Sequence, residues 1–131
     1  MKITIISSNK IKNKYTQKAI EEYSKRLSIF AKIEYKVMKD FDKDSFKNAY
    51  IIQINKNSEQ ISSEQLAEKL KDITVHGYSH IVFLLDFFSK ISSDFSFSIS
   101  KMDFESNILL IILYEQIYRA FCINANLPYH K

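Results

Sequence analysis

The stretch His80-Ile-Val-Phe-Leu-Leu85 constrains the fold more than any other part of the chain. A strand with one wet face alternates apolar and polar residues, whereas this run is apolar without a break after His80. It is too short for a core helix and is rich in residues that suit a pleated sheet. A strand of this kind is buried on both faces, as in the interior of an α/β sheet. Gly77, the only glycine in the chain, stands just before it, where a helix C-cap is expected.

The other elements follow from period and punctuation. "KITIIS" alternates and reads as a first strand. Ile11, Tyr15, Ala19, Tyr23, Leu27 and Phe30 recur at steps of four or three and mark one face of a long helix. "KIEYKVM" and "YIIQI" read as the second and third strands, separated by a charged loop at residues 39–48. Ser62 and Gln65 form a capping box that opens a second helix through Leu66, Leu70 and Ile73. "FSFSIS" alternates with Phe95, Phe97 and Ile99 on one side, a fifth strand. From Phe104 to Cys122 runs a helix apolar almost all round, hence buried on more than one side; in a domain this small a second copy of the chain supplies the second side. The order is that of an α/β sandwich in one domain, residues 1–131.

Composition excludes several classes. A hydrophobic fraction of 46% excludes a disordered chain. The single cysteine, Cys122, excludes an internal disulfide and fits a reducing cytoplasm. The apolar start is too short for a signal peptide, and "ILLIILY" falls short of the ~20 residues of a membrane span, so a soluble protein without a membrane role is expected. The net charge of +4 is uneven. Residues 1–71 carry 15 basic and 9 acidic side chains, and the remainder 4 and 6. A basic half suits a polyanion such as nucleic acid, and a lysine-rich surface without a partner gives the same count.

Among local motifs, "KIKNKYTQK" is basic with an aromatic inside it. Lys10, Lys12 and Lys14 are thus candidates for RNA phosphate contact, against the plainer reading of a solvated helix face. His76 and His80 have a metal-like spacing, but Gly77 interrupts the helix that would present them, and no metal site is expected. Asp40 to Asp44 has calcium-like acid spacing without the loop's glycine or final glutamate. Glu115 and Arg119, four apart in a greasy helix, would neutralise each other. The chain then closes on "NANLPYHK", with a phenol, an imidazole and an ammonium in a row.

Taken together, these segments resemble a known family. "MKITIIS", "KNKYTQKAIEEYSKRL", "SSEQLAEKL", "SISKM", "EQIYRAF" and "PYHK" are similar, in order and spacing, to the ribosomal RNA large subunit methyltransferase H family of SPOUT-class enzymes. The resemblance covers nearly the whole chain, and its C-terminal part is the most specific. It implies an α/β SPOUT-type sandwich with a mostly parallel sheet and a C-terminal trefoil knot, which pattern alone would not propose. It implies a homodimer whose active site is shared between subunits. The implied reaction moves a methyl group from S-adenosyl-L-methionine to N3 of a pseudouridine in 23S rRNA of the large subunit or assembled ribosome. No metal is implied, because a sulfonium methyl is already electrophilic.

The resemblance also implies roles for residues. Ile54, Asp86 and the segment Ile99, Ser100, Lys101, Met102, Asp103 and Phe104 would line the cofactor pocket. His130 would accept or relay a proton, Tyr129 would orient or stack on the base, and Arg119 would brace the tail or meet the RNA. Lys131 would lie at the RNA side. Two departures stand out. Asp86 and Phe87 occupy the paired glycines of the family's cofactor loop and Lys90 its third glycine, and the segment from there to "FSFSIS" is shorter, lacking helical residues. Glu105, Ser106 and Leu110 replace a Pro-His pair and an arginine four residues beyond the histidine. Two readings of activity therefore stand: a methyltransferase with an altered pocket, or a degenerate dimer that binds the ribosome without methyl transfer.

Overall fold

A computed structural model describes residues 1–87 and 91–129. Five strands, β1 (Lys2–Ser7), β2 (Lys32–Val37), β3 (Tyr50–Ile54), β4 (His80–Leu85) and β5 (Phe95–Phe97), form one sheet in the order β2-β1-β4-β3-β5. Every pairing is parallel. Helices α1 (Lys14–Leu27), α2 (Ser63–Val75) and α3 (Ser106–Asn124) share one core with Ile3, Ile5, Ile52, Ile54, Ile81, Phe83 and Leu85. The alternate residues Ile6, Ile51, Val82 and Leu84 face the other way, under Met38, Phe41, Phe46, Phe87 and Ile91. β4 is thus covered on both sides, as its unbroken apolar run requires.

Handedness accounts for this arrangement. Parallel crossovers keep one hand, so connections that move in opposite directions along the sheet must cross opposite faces. The steps β1 to β2 and β3 to β4 run one way and carry α1 and α2. The steps β2 to β3 and β4 to β5 run the other way, and their residues supply the second-face cover.

The β4 to β5 connection, residues 86–94, is shorter than the dozen residues usual for a parallel crossover. Register makes it possible. Phe95 pairs with Ile52, which is level with Phe83, so the chain descends only two residues, about 7 Å, while crossing two strand spacings, about 10 Å. Below β5, Asp94 completes the ladder: its N–H donates to Ile51 O (2.9 Å), and its carboxylate accepts from Ile51 N–H (2.8 Å).

The helix boundaries show their local causes. Asn13 caps α1, and Ser62 with Gln65 closes a full capping box on α2. Gly77, at φ +94°, ends α2 in a Schellman turn, with Tyr78 N–H donating to Ile73 O and Gly77 N–H to Thr74 O. Asn126, at φ +56°, does the same for α3 through Leu127 N–H to Cys122 O and Asn126 N–H to Ile123 O.

Three expectations are corrected. α1 buries Thr16, Ile20 and Leu27, while Tyr15 is 85% exposed. β5 stops at Phe97, because beyond it Ser98 bridges Gln60 in the α2 approach, and Ile99 belongs to the following turn. α3 starts at Ser106 with Glu105 as its cap and runs on to Asn124. By length and composition alone α3 could cross a membrane; here it packs against both α1 and α2. Its buried residues include Leu110, Leu113, Tyr114, Ile117 and Ala120, and Ile108, Ile111, Ile112, Glu115 and Arg119 form a less covered face.

Candidate cofactor site and C-terminal aromatic cluster

In doubly wound sheets, ligands bind outside the carboxyl ends of the strands where connections diverge to opposite faces. β3 and β4 diverge in this way, and a cavity of about 810 Å³ opens at their C-terminal ends. That size suits a small-molecule ligand. Its floor is Gln53, Ile54 and Asn55 after β3, Asp86 and Phe87 after β4, and Ser96 and Ser98 from β5 and its end; its roof is the 99–104 turn with Ser106 and Leu109 of α3. The roof is tied by its own serines: Ser98 Oγ donates to Ser100 O (2.8 Å), and Met102 N–H donates to Ser100 Oγ (3.0 Å). Across the mouth, Lys56 meets Asp103 at 2.7 Å, an exposed pair of small energetic weight.

Of the eight residues that the resemblance places at a cofactor, seven line this cavity: Ile54, Asp86, Ile99, Ser100, Met102, Asp103 and Phe104. Lys101 is exposed and outside the lining. Ser96, Ser98 and the Asn55–Ser58 turn were not anticipated; the signal for them was the polar run directly after an apolar strand.

Asp86 combines three features. Its φ is +63°, the left-handed region that suits glycine and that aspartate tolerates better than most residues. Ser8 Oγ donates to its backbone carbonyl, tying the β1 and β4 ends together. Its Oδ2 is buried and has no hydrogen-bond partner among the described residues. Burial is the main cause that raises the nearby Tyr35 phenol, with the Asp86 charge acting in the same direction.

Arg119 and Tyr129 lie together elsewhere. Asn126 turns the chain back so that Tyr129 meets Tyr118 edge-on (4.8 Å, 72°), and the Arg119 guanidinium carbon lies 4.9 Å from the Tyr129 ring centre. Glu115 accepts from Arg119 Nε at 3.2 Å. Tyr23, Arg26, Phe30 and Phe121 extend the cluster, with Phe30 stacked on Phe121 at 5.4 Å. Burial, then a hydrogen bond with Tyr23, pushes the Tyr129 phenol up to about 12. Arg119 is ten residues beyond Leu109, about 15 Å along α3, and neither Arg119 nor Tyr129 lines the cavity of its own chain. His130, Lys131 and Lys90 lie outside the described residues.

Lys10, Lys12 and Lys14 are exposed. Lys10 and Lys12 precede α1, and Lys14 is its first residue. Asn9, just before them, donates from Nδ2 to Ser106 Oγ (3.4 Å) on the cavity wall, so this basic run starts at the cavity rim. His76 caps α2 while His80 lies in β4, and no group of three metal-ligating side chains occurs among the described residues.

Comparison with known proteins agrees with this architecture. A family model described as "Predicted SPOUT methyltransferase" matches residues 1–130. A protein of Bifidobacterium adolescentis named ribosomal RNA large subunit methyltransferase H is 37% identical over 159 aligned positions, covering all of both chains. One of Clostridium novyi with the same name is 36% identical over 159 positions, and one of Methanococcus maripaludis, named as a putative member, is 37% identical over 163, each again with full coverage. These alignments are longer than the chain's 131 residues, so the relatives carry segments that this chain lacks. A parallel α/β sheet with its cavity at the strand ends, matched over nearly its whole length, places this chain in the SPOUT methyltransferase family.

Proposed function

We propose that this protein methylates N3 of a pseudouridine in 23S rRNA, in the large subunit or assembled ribosome, using S-adenosyl-L-methionine and working as a cytoplasmic homodimer with a C-terminal trefoil knot. The observation that carries this reading is a cavity at the strand ends, in a chain of a methyltransferase family, whose lining includes seven of the eight residues expected at a cofactor. Ile54, Ile99, Phe104 and Leu109 offer apolar walls, and the turn at 98–102 offers backbone groups. The cofactor supplies an electrophilic methyl, which leaves sulfur with its bonding pair behind as N3 gains the new bond.

The chain's own part is positioning and proton removal. Effective alignment of reactants lowers such barriers by roughly 7–11 kcal/mol in favourable cases. His130 takes the N3 proton, a role suited to an imidazole near neutral pH. Tyr129 stacks on the base, and Lys131 meets a phosphate. Because Arg119 and Tyr129 lie about three helical turns from their own cavity, the tail serves the cavity of the second subunit. The less covered face of α3, with Ile108 and Ile112, forms the contact, and α3 buried on both sides accounts for its apolar character. Lys10, Lys12 and Lys14, beside exposed Tyr15, track the RNA backbone toward the cavity.

A second reading has its own observation: Asp86 and Phe87 at the family's glycines, which suits a dimer that binds the ribosome without transferring methyl. Mapping of methylated pseudouridine in ribosomes from cells lacking this gene tests the first reading, and a modification unchanged by the deletion refutes it. Titration calorimetry with S-adenosylmethionine separates the two, micromolar binding favouring the enzyme and no heat favouring the scaffold.

A further inference from the structure

We propose that Asp86 is a cation-recognition residue of the cavity, whose carboxylate meets a positively charged group of the adenosyl ligand; this rests on the cofactor reading above. Three observations lead there. Asp86 lines the cavity, and its Oδ2 lacks any hydrogen-bond partner among the described residues. Among the described residues, the other charged members of the lining, Lys56 and Asp103, are engaged with each other, so Asp86 is the described lining carboxylate left without a cation. Its left-handed backbone and the Ser8 bond to its carbonyl fix where the side chain starts.

A buried acceptor without a donor is unfavourable in the free protein and is relieved by whatever ligand brings one. Because Asp86 lines the cavity, its carboxylate charge is felt by a ligand cation there whichever oxygen makes the contact. Hydroxyls could satisfy the hydrogen bond, but the uncompensated charge of the lining favours a cation. S-Adenosylmethionine has two, a sulfonium and an α-ammonium. The family's glycine has no side chain to offer either, so this contact belongs to this chain.

The test is titration calorimetry on the full chain, wild type and the near-isosteric Asp86→Asn and Asp86→Gly variants, with S-adenosylmethionine, S-adenosylhomocysteine and 5′-methylthioadenosine. For two unit charges ~4 Å apart, attraction in water alone corresponds to roughly fivefold and rises steeply nearer protein. Asp86→Asn should therefore weaken S-adenosylmethionine about tenfold, less at high salt, and leave neutral methylthioadenosine unchanged. A loss shared with S-adenosylhomocysteine places the ammonium at Asp86, and a loss confined to S-adenosylmethionine places the sulfonium there; either supports the inference. Equal loss of all three ligands, or unchanged affinities, overturns it. Binding by Asp86→Gly when the wild type is silent overturns it while sparing the cofactor reading, and silence in every protein overturns both.

Discussion

Asp86→Gly should stabilise the ligand-free protein. Aspartate at φ +63° carries a left-handed penalty toward the low end of ~1–2 kcal/mol. Its buried oxygen, without a hydrogen-bond partner among the described residues, adds ~1–3 kcal/mol. Glycine removes both and gives back ~0.5–1 kcal/mol through a freer unfolded chain. The Ser8 bond survives, because it ends on the backbone carbonyl. The net gain is about 1–3 kcal/mol, which for a chain of this size raises Tm by roughly 3–10 °C. Scanning calorimetry without ligand measures it, and Asp86→Ala separates the contributions. Alanine also removes the carboxylate but keeps the strained φ, so, after the freer unfolded chain of glycine is counted, it should fall ~0.5–1 kcal/mol below glycine. A lower Tm for Asp86→Gly than for wild type refutes the reasoning, for it would mean that the carboxylate is satisfied in the free protein. Strain and an orphaned acceptor that persist at one residue fit a site whose cost is recovered on ligand binding.

Asp94→Ala should lower stability by ~1.5–3 kcal/mol in urea unfolding, since Ile51 N–H loses a charged acceptor, and Asp94→Asn should recover much of that. Lys14→Glu should raise stability by ~0.3–1 kcal/mol, because a cation sits badly in the first turn of a helix, while weakening salt-sensitive retention of rRNA; unchanged RNA binding would remove Lys14 from the interface. Tyr129 has a phenol raised from 10 to about 12, so it holds its proton more firmly folded than unfolded. Its contribution is whole below pH 10 and is lost as pH rises toward 12; Tyr129→Phe should show a shallower alkaline fall in Tm over that window. Ile108→Asp, at a position 52% exposed in the monomer, should leave the fold intact but shift light scattering from dimer to monomer, and a persisting dimer would move the interface away from this face of α3.

What could be read from the sequence was local. The capping box at Ser62 and Gln65, the turn at Gly77 and the two-sided burial of β4 are each written in a few adjacent residues. The register of α1 was not. Tyr15, Ala19, Tyr23 and Leu27 advance by four, and each such step overshoots a full turn by ~40°, so Tyr15 ends about 120° from Leu27 and faces solvent. Ile99 continues the alternation of β5, but a strand also needs a paired neighbour, and beyond Phe97 the adjacent chain is the α2 approach. The cavity residues were legible through resemblance for seven positions, because turn geometry follows the backbone. The Asn126 turn, which gathers Arg119 and Tyr129 away from that cavity, depends on one left-handed residue that composition does not reveal.

The two departures around β4 answer one another. Glycine at a loop of this kind has two uses, a left-handed backbone and an absent side chain. Asp86 keeps the first, at φ +63°. The second is given up at Phe87, whose ring meets Phe41 edge-on at 6.5 Å and helps to cover Ile6, Val82 and Leu84. That face is where a right-handed β4 to β5 crossover must lie, and here the crossover is too short to bring a helix to it. Buried aliphatic side chains left open to water would each forfeit ~1.5–3 kcal/mol, so the shortened connection needs an apolar side chain close to the end of β4. Phe87 and Ile91 supply it. The phenylalanine that breaks the glycine pattern is thus accounted for by the sheet's second face, and the backbone walls of the cavity remain in place around it.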